Sequence, residues 1–226
     1  MERSLRDSGV SNRNKMIDFN LYVITNRHLC APKSLLTVVS EILDVGVKAI
    51  QLREKDLDDV VLFKLAKPIS DLCQTHNAHL FMNTNVKVAM DIGAAGIHLP
   101  DTDVSVDKVK AELDSDVLIG CSIHGVDAAK KREIQGADFI TYSPIYPTVN
   151  KPQYGPAVGV KNLEKLVKQV SLPVFALGGI TPARVSECLG ARASGVAVMS
   201  GVMSPIDAAQ RAQEYISACV VNNPKY

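Results

Sequence analysis

Net charge is almost absent: 25 Lys and Arg stand against 24 Asp and Glu in 226 residues, a balance of +1. A chain so close to neutral carries no electrostatic footprint for nucleic acid or an acidic membrane surface. No Cys-x-x-Cys spacing occurs among Cys30, Cys73, Cys121, Cys188 and Cys219. An odd number of scattered cysteines argues against a disulfide framework or a zinc site, and for free thiols in a reducing compartment, the cytoplasm. No apolar run approaches the ~20 residues of a transmembrane span. Met1 to Lys15 are polar and lack the apolar stretch of a signal peptide. Residues 1–17 are therefore expected to be a disordered extension, with Met16 a candidate natural start, and residues 221–226 a polar tail. A Gly-x-Gly-x-x-Gly after the first strand is also missing, since Thr25-Asn26-Arg27 stands there; this weakens a dinucleotide-binding open sheet.

What is present is a repeat of two alternating patterns. Hydrophobic residues make up 46% of the chain, enough for the core of one large α/β domain. Short apolar runs at Phe19–Ile24, Lys48–Leu52, Ala78–Met82, Gly96–Leu99, Val117–Cys121, Asp138–Tyr142, from Val174 and from Gly195 read as strands. Between them lie helical patterns at Ser34–Leu43, Asp58–His76, Val86–Ile92, Ser105–Leu113, Val126–Gln135, Lys161–Val170, Pro182–Leu189 and Pro205–Cys219. Pro68 inside the second of these predicts a kink or break. Strands separated by helices must pair in parallel with both faces covered. Eight such pairs over residues 18–220 predict a single-domain (β/α)8 barrel, with a doubly wound open sheet as runner-up.

In such a barrel the strand C-termini converge on one site. The last two strands run into Gly178-Gly179 and Ser200-Gly201, small-residue corners that open helical patterns. Corners of this kind can aim backbone N–H groups at a phosphate. The other strand ends carry Gln51, Arg53 and Lys55; Asn83, Thr84 and Asn85; His98, Asp101 and Asp103; Ser122 and His124; and Thr148, Asn150 and Lys151 in a Pro/Gly-rich loop from Ser143 to Gly159. Arg53 suits a carboxylate or phosphate, or else a surface ion pair with Glu54 or Asp58. Lys151 sits in a loop long enough to close over a site. His124 suits proton transfer. His98 reads better as a satisfied core histidine, and Cys121 as packing.

Gln51-Leu-Arg-Glu-Lys55, Gly96-Ile-His-Leu99 through Asp103, Ser122-Ile-His124, Ser143-Pro-Ile-Tyr-Pro-Thr148 with Lys151, Gly178-Gly179-Ile180 and Val196-Ala-Val-Met-Ser200 together resemble the thiamine-phosphate synthase family, from about Leu21 to Tyr215. The resemblance implies one of two activities. The synthase branch joins a pyrimidine diphosphate to a thiazole phosphate with Mg²⁺. The thiazole tautomerase (TenI-like) branch aromatises thiazole carboxylate phosphate without metal. The synthase pattern Asn-Asp-Arg, whose Asp is a metal ligand, is here Asn83-Thr84-Asn85. His98-Leu-Pro100 is similar to the tautomerase branch, whereas Asp103 matches the synthase's second metal ligand.

The expectation is therefore the metal-free tautomerase, with the synthase as alternative and a non-catalytic phosphate-ligand sensor third. By the same resemblance His124 is the acid–base group. Gln51, Arg53, Lys55, Asn83, Ser122, Thr148 and Lys151 hold the substrate, and Gly178, Gly179, Ser200 and Gly201 hold its phosphate. No cofactor is expected, or Mg²⁺ on Asp103 under the synthase alternative. The expected partner is the small thiazole phosphate alone, with neither nucleic acid nor membrane. A homo-oligomer is compatible with the sequence, which does not fix it.

Overall fold

The structure is a computed structural model that describes residues 17–102, 104–114, 116–148, 156–204 and 206–221. Eight parallel strands close into a barrel in sequence order: β1 (Leu21–Ile24), β2 (Ala49–Leu52), β3 (His79–Asn83), β4 (Gly96–Leu99), β5 (Leu118–Ile123), β6 (Phe139–Tyr142), β7 (Val174–Leu177) and β8 (Gly195–Val198). The helices between them are α1 (Leu35–Asp44), α2 (Asp59–Thr75), α3 (Val86–Asp91), α4 (Val106–Glu112), α5 (Val126–Ile134), α6 (Val160–Val167) and α7 (Pro182–Gly190), with α8 (Ala208–Val221) closing the ring. The (β/α)8 expectation holds. The terminal extension and tail, apart from residues 17 and 221, lie outside the described residues, as do Asp103, Asn150 and Lys151. Among the described residues no helix is long and apolar enough to cross a membrane.

The barrel interior explains why short strands suffice. Side chains alternate in and out along a strand, so every second residue enters the lumen. In the lower lumen the pairing sets a phenyl ring beside a glycine three times: Phe81 beside Gly96, Phe139 beside Gly120 and Phe175 beside Gly195. A Cβ on those glycines would lie 2.4, 2.3 and 2.7 Å from the facing ring. The small residue thus makes the space that the large one fills. Phe19 turns in below the strands and meets Phe175 at 5.2 Å between centroids, and Phe81 and Phe139 at 5.8 Å. The N-terminal end of the lumen is thereby sealed with apolar matter.

Two sequence expectations shift. Pro68 does not break α2, which runs unbroken past it. Buried Leu62 and Ala66 on one side, and Ile69 and Cys73 on the other, anchor both halves to the core, so packing outweighs one missing hydrogen bond. Strand β5 runs two residues further than expected and ends at Ile123, which takes Ser122 off the loop and into the wall.

Candidate active site

Alternation also builds the site. Above the phenyl layer, successive inward positions turn polar: Gln51 then Arg53 from β2, Asn83 from β3, His98 from β4, Ser122 then His124 from β5, and Thr141 from β6. Gln51, His98 and Thr141 are buried. Their hydrogen bonds tie the lumen floor together: Gln51 Nε2 to Tyr22 Oη at 3.3 Å, and His98 Nε2 to Ser122 Oγ at 3.0 Å. His98 is the satisfied core histidine the sequence suggested. Burial, followed by the nearby Arg53 charge, lowers its pKa to about 3. Cys121 packs at zero exposure as expected, and burial pushes its thiol up to about 12.

The rim after β2 is held by a buried carboxylate. Glu54 accepts from Thr25 Oγ1 at 2.8 Å, from the Arg27 N–H at 3.1 Å and from the Arg27 guanidinium at 3.0 Å. Thr25 in turn accepts from the Arg53 N–H at 3.0 Å. Glu54 therefore turns back into the wall. The alternative of a surface pair between Arg53 and Glu54 does not form, and Asp58 caps α2 by accepting from Val61 N–H at 2.9 Å. Among the described residues the Arg53 guanidinium has no carboxylate partner. Lys55 flanks it, its pKa lowered by burial and by the Arg53 charge. Two cations left uncompensated in this way make the local potential positive.

Lys55 also lines a cavity of about 440 Å³ with Leu52, Glu54, Leu57, Leu62, Asn83, Thr84 and Asn85. Thr84 sits at φ +65°, a region that disfavours a β-branched residue and that Asp or Asn enters more readily. Its hydroxyl accepts from Asn83 Nδ2 at 2.6 Å. Asn85 caps α3 through Val88 N–H at 2.9 Å and donates to Asp59 at 2.7 Å. For Mg²⁺ this is a poor donor set. The cavity's one carboxylate, Glu54, is taken by Thr25 and Arg27; Thr84 offers no anionic oxygen; and no cluster of three His, Cys, Asp or Glu exists among the described residues.

On the β4–β6 side, His124 is exposed and bonds through Nδ1 to the Ser143 carbonyl at 2.8 Å. A carbonyl can only accept, so Nδ1 carries the proton and Nε2 is the basic nitrogen of the neutral ring. Thr148 is half-buried near the start of the long loop, and Asp101 is exposed. The loop of Asp101 is gripped from behind by a feature the sequence gave no cue to. Arg132 of α5, only 2% exposed, donates to the carbonyls of Val104 at 2.6 Å, Pro100 at 2.9 Å and Thr102 at 2.8 Å.

Across the mouth, the β7 corner has a left-handed backbone, and the β8 corner turns beside it at Ser200-Gly201. Gly178 and Gly179 lie at φ +99° and +64°. Among the described residues the N–H groups of Gly178, Gly179, Ser200 and Gly201 donate to no protein acceptor. The glycines serve packing as well as approach. A Cβ on Gly178 would lie 2.9 Å from Pro144 Cα, and one on Gly179 would lie 2.7 Å from the Pro147 carbonyl. Tyr215 of α8, another residue missed from sequence, donates to the Ile180 carbonyl at 2.8 Å and fills the space a Cβ on Gly201 would take. One phenol thus joins both corners. A tyrosine within an amphipathic helix gives no sign of that.

Comparisons with known proteins identify the family. The family model described as Thiamine monophosphate synthase (TMP-TENI) matches residues 21–202. A putative thiamine-phosphate synthase of Geobacter sulfurreducens is 41% identical over 89% of this chain and 94% of its own. The thiamine-phosphate synthase of Methanospirillum hungatei is 33% identical over 88% and 97%. The solved thiamine phosphate pyrophosphorylase of Pyrococcus furiosus superposes with a TM-score of 0.81 at 30% identity, covering 93% of this chain and 98% of that one. A neighbour of another name, KDPGal, at 16% identity, shares the fold alone. The chain belongs to the thiamine monophosphate synthase (TMP-TENI) family.

Proposed function

We propose that this protein is a thiamine-phosphate synthase, joining a pyrimidine diphosphate to a thiazole phosphate with release of pyrophosphate. The observation that carries this reading is the pairing of two anion sites of different make across one mouth. One is a backbone cup at Gly178, Gly179, Ser200 and Gly201; the other is the side-chain cation pair Arg53 and Lys55. Two phosphorylated substrates need two such sites, and a pair of cations exceeds what a single carboxylate requires. The names of the relatives at 33% and 30% identity support the same reading over the tautomerase expected from sequence. The cup would hold the thiazole phosphate and so fix the ring nitrogen near the pyrimidine methylene carbon. Arg53 and Lys55 would stabilise the departing diphosphate as its negative charge grows. The described residues do not fit Mg²⁺ at Thr84, which offers no anionic oxygen.

A second reading, the thiazole tautomerase, is favoured by one observation. Thr84 and Asn85 stand where the synthase pattern has Asp and Arg, and the Asn85 amide is held as a helix cap. There His124, with Nε2 as its basic nitrogen, would take a proton from ring carbon 2 and deliver one to the exocyclic carbon. Arg53 would hold the carboxylate. One assay separates the readings: each substrate set, with and without Mg²⁺ and with EDTA. Thiamine phosphate and pyrophosphate are the expected products. Aromatisation of thiazole carboxylate phosphate without any C–N bond formation would replace the first reading by the second. Binding of thiamine phosphate with neither reaction would leave a ligand sensor.

A further inference from the structure

A row of polar side chains threads the lumen directly above the phenyl layer, and its donors and acceptors can be counted. Gln51 Nε2 can only donate, and it reaches Tyr22 Oη at 3.3 Å. The Tyr22 oxygen accepts there, and its single proton has His98 Nδ1 at 3.4 Å as acceptor. An accepting ring nitrogen bears no hydrogen, and His98 is neutral because burial depresses its pKa. The ring proton therefore sits on Nε2, which lies 3.0 Å from Ser122 Oγ. The buried Thr141 hydroxyl lies 3.4 Å from both that oxygen and His98 Nε2; with the ring proton on Nε2, its own proton goes to Ser122 Oγ. Both acceptor positions of Ser122 are filled from below. What Ser122 has left is its own proton, at the half-buried position just under His124.

We propose that Tyr22 and His98 are positioning residues that fix Ser122 as a hydrogen-bond donor toward the substrate, so that the substrate atom it meets must be an acceptor. That atom is an anionic phosphoryl or diphosphate oxygen, or an unprotonated ring nitrogen; an amine N–H would find no partner there. The assignment explains why a phenol and an imidazole stand fully buried in the lumen. It rests on the proposed function only for the identity of the acceptor.

The test begins with the ring itself. Long-range ¹H–¹⁵N correlation spectra of the full chain, with His98 assigned by difference from His98→Gln, are expected to show one neutral tautomer. It should carry its proton on Nε2, unchanged between about pH 5 and pH 8. Tyr22→Phe keeps the ring and removes the phenol. It is expected to lose that single tautomer and to weaken thiamine phosphate binding about tenfold. Ser122→Ala should weaken binding by a similar factor, and the double variant by no more than either alone. His98→Gln, which can still accept below and donate above, should retain more affinity than His98→Leu. A proton on Nδ1 in the wild type, an unchanged spectrum in Tyr22→Phe, or additive losses in the double variant would overturn the proposal. If the wild type neither binds thiamine phosphate nor catalyses either reaction, the proposed function fails, and the tautomer alone still decides the relay.

Discussion

The two walls of the mouth are made of different material. Strands β7 and β8 present backbone: two glycines at positive φ after β7, N–H groups without acceptors among the described residues, and a tyrosine joining the corners from behind. Strands β2 to β4 present side chains, and charged groups with their heads in the wall hold them from behind: Glu54 behind Arg53 and Lys55, and Arg132 behind the loop of Asp101. In a closed eight-strand ring β3 stands opposite β7, so Thr84 faces the glycine cup across the opening. A backbone wall offers every ligand phosphate the same donors and changes little with sequence. A side-chain wall can be altered one residue at a time. On the proposed function the cup would fit either reading, and the choice between them would fall to the opposite rim.

Breaking the side-chain wall should give the larger loss of stability. In Arg132→Met the volume is nearly kept, but the carbonyls of Pro100, Thr102 and Val104 lose their donor. Buried acceptors left alone cost roughly 1–3 kcal/mol each, less whatever water can reach. A loss of about 4 kcal/mol is expected in urea unfolding. Faster hydrogen exchange, confined to the segment around residues 100–104, should accompany it. Breaking the backbone wall should instead show in binding. Gly179→Ala puts a Cβ 2.7 Å from the Pro147 carbonyl at a left-handed φ, so the corner must move and its N–H groups turn away. Thiamine phosphate affinity should fall about a hundredfold, roughly 2.7 kcal/mol. If affinity survives, the N–H groups of this wall do not hold the phosphate.

The floor shared by the walls sets the acid limit. His98 has a folded-state pKa of about 3, and an unfolded histidine titrates near 6.5. Because the folded value is depressed, the unfolded chain binds more protons between those limits. Stability is therefore lost as pH falls below about 6.5 and continues to fall toward about 3. At about pH 5 the loss from this group is about 2 kcal/mol. His98→Gln, having nothing to titrate, should show a flatter urea midpoint between about pH 7 and pH 5 than the wild type.

The barrel was legible because its signals are local and repeated: eight apolar runs, each followed by a helical pattern. The glycine corner after β7 was legible because Gly178-Gly179 is a contiguous pair. The supports behind the two walls were not, because each joins residues far apart in sequence by way of the closed sheet. Arg132 lies 32 residues from Pro100, and Tyr215 lies 35 from Ile180. In sequence each reads as an ordinary surface helix position. In sequence Glu54 is one of two alternative ion-pair partners for Arg53. Strand alternation decides otherwise, since adjacent residues point to opposite sides of the wall and Arg53 faces in while Glu54 faces away.

That geometry makes the last and smallest effect the most discriminating. In Glu54→Gln, Thr25 and the Arg27 N–H keep an acceptor, and the Arg27 guanidinium keeps only Asp56 as an anionic partner. Removing a negative charge makes the β2 rim more positive. If Glu54 acted only through its charge, the variant would bind anions more tightly, and the gain would fade as salt rises. If it acts by fixing the strand end through Thr25, which accepts from the Arg53 N–H, the variant should bind more weakly. The expected loss is about fivefold, roughly 1 kcal/mol, and nearly independent of salt. The sign of the change and its salt slope, read from pyrophosphate titrations at two ionic strengths, separate the alternatives. Weaker, salt-insensitive binding would show that this wall works by the placement of its cations as well as by their number.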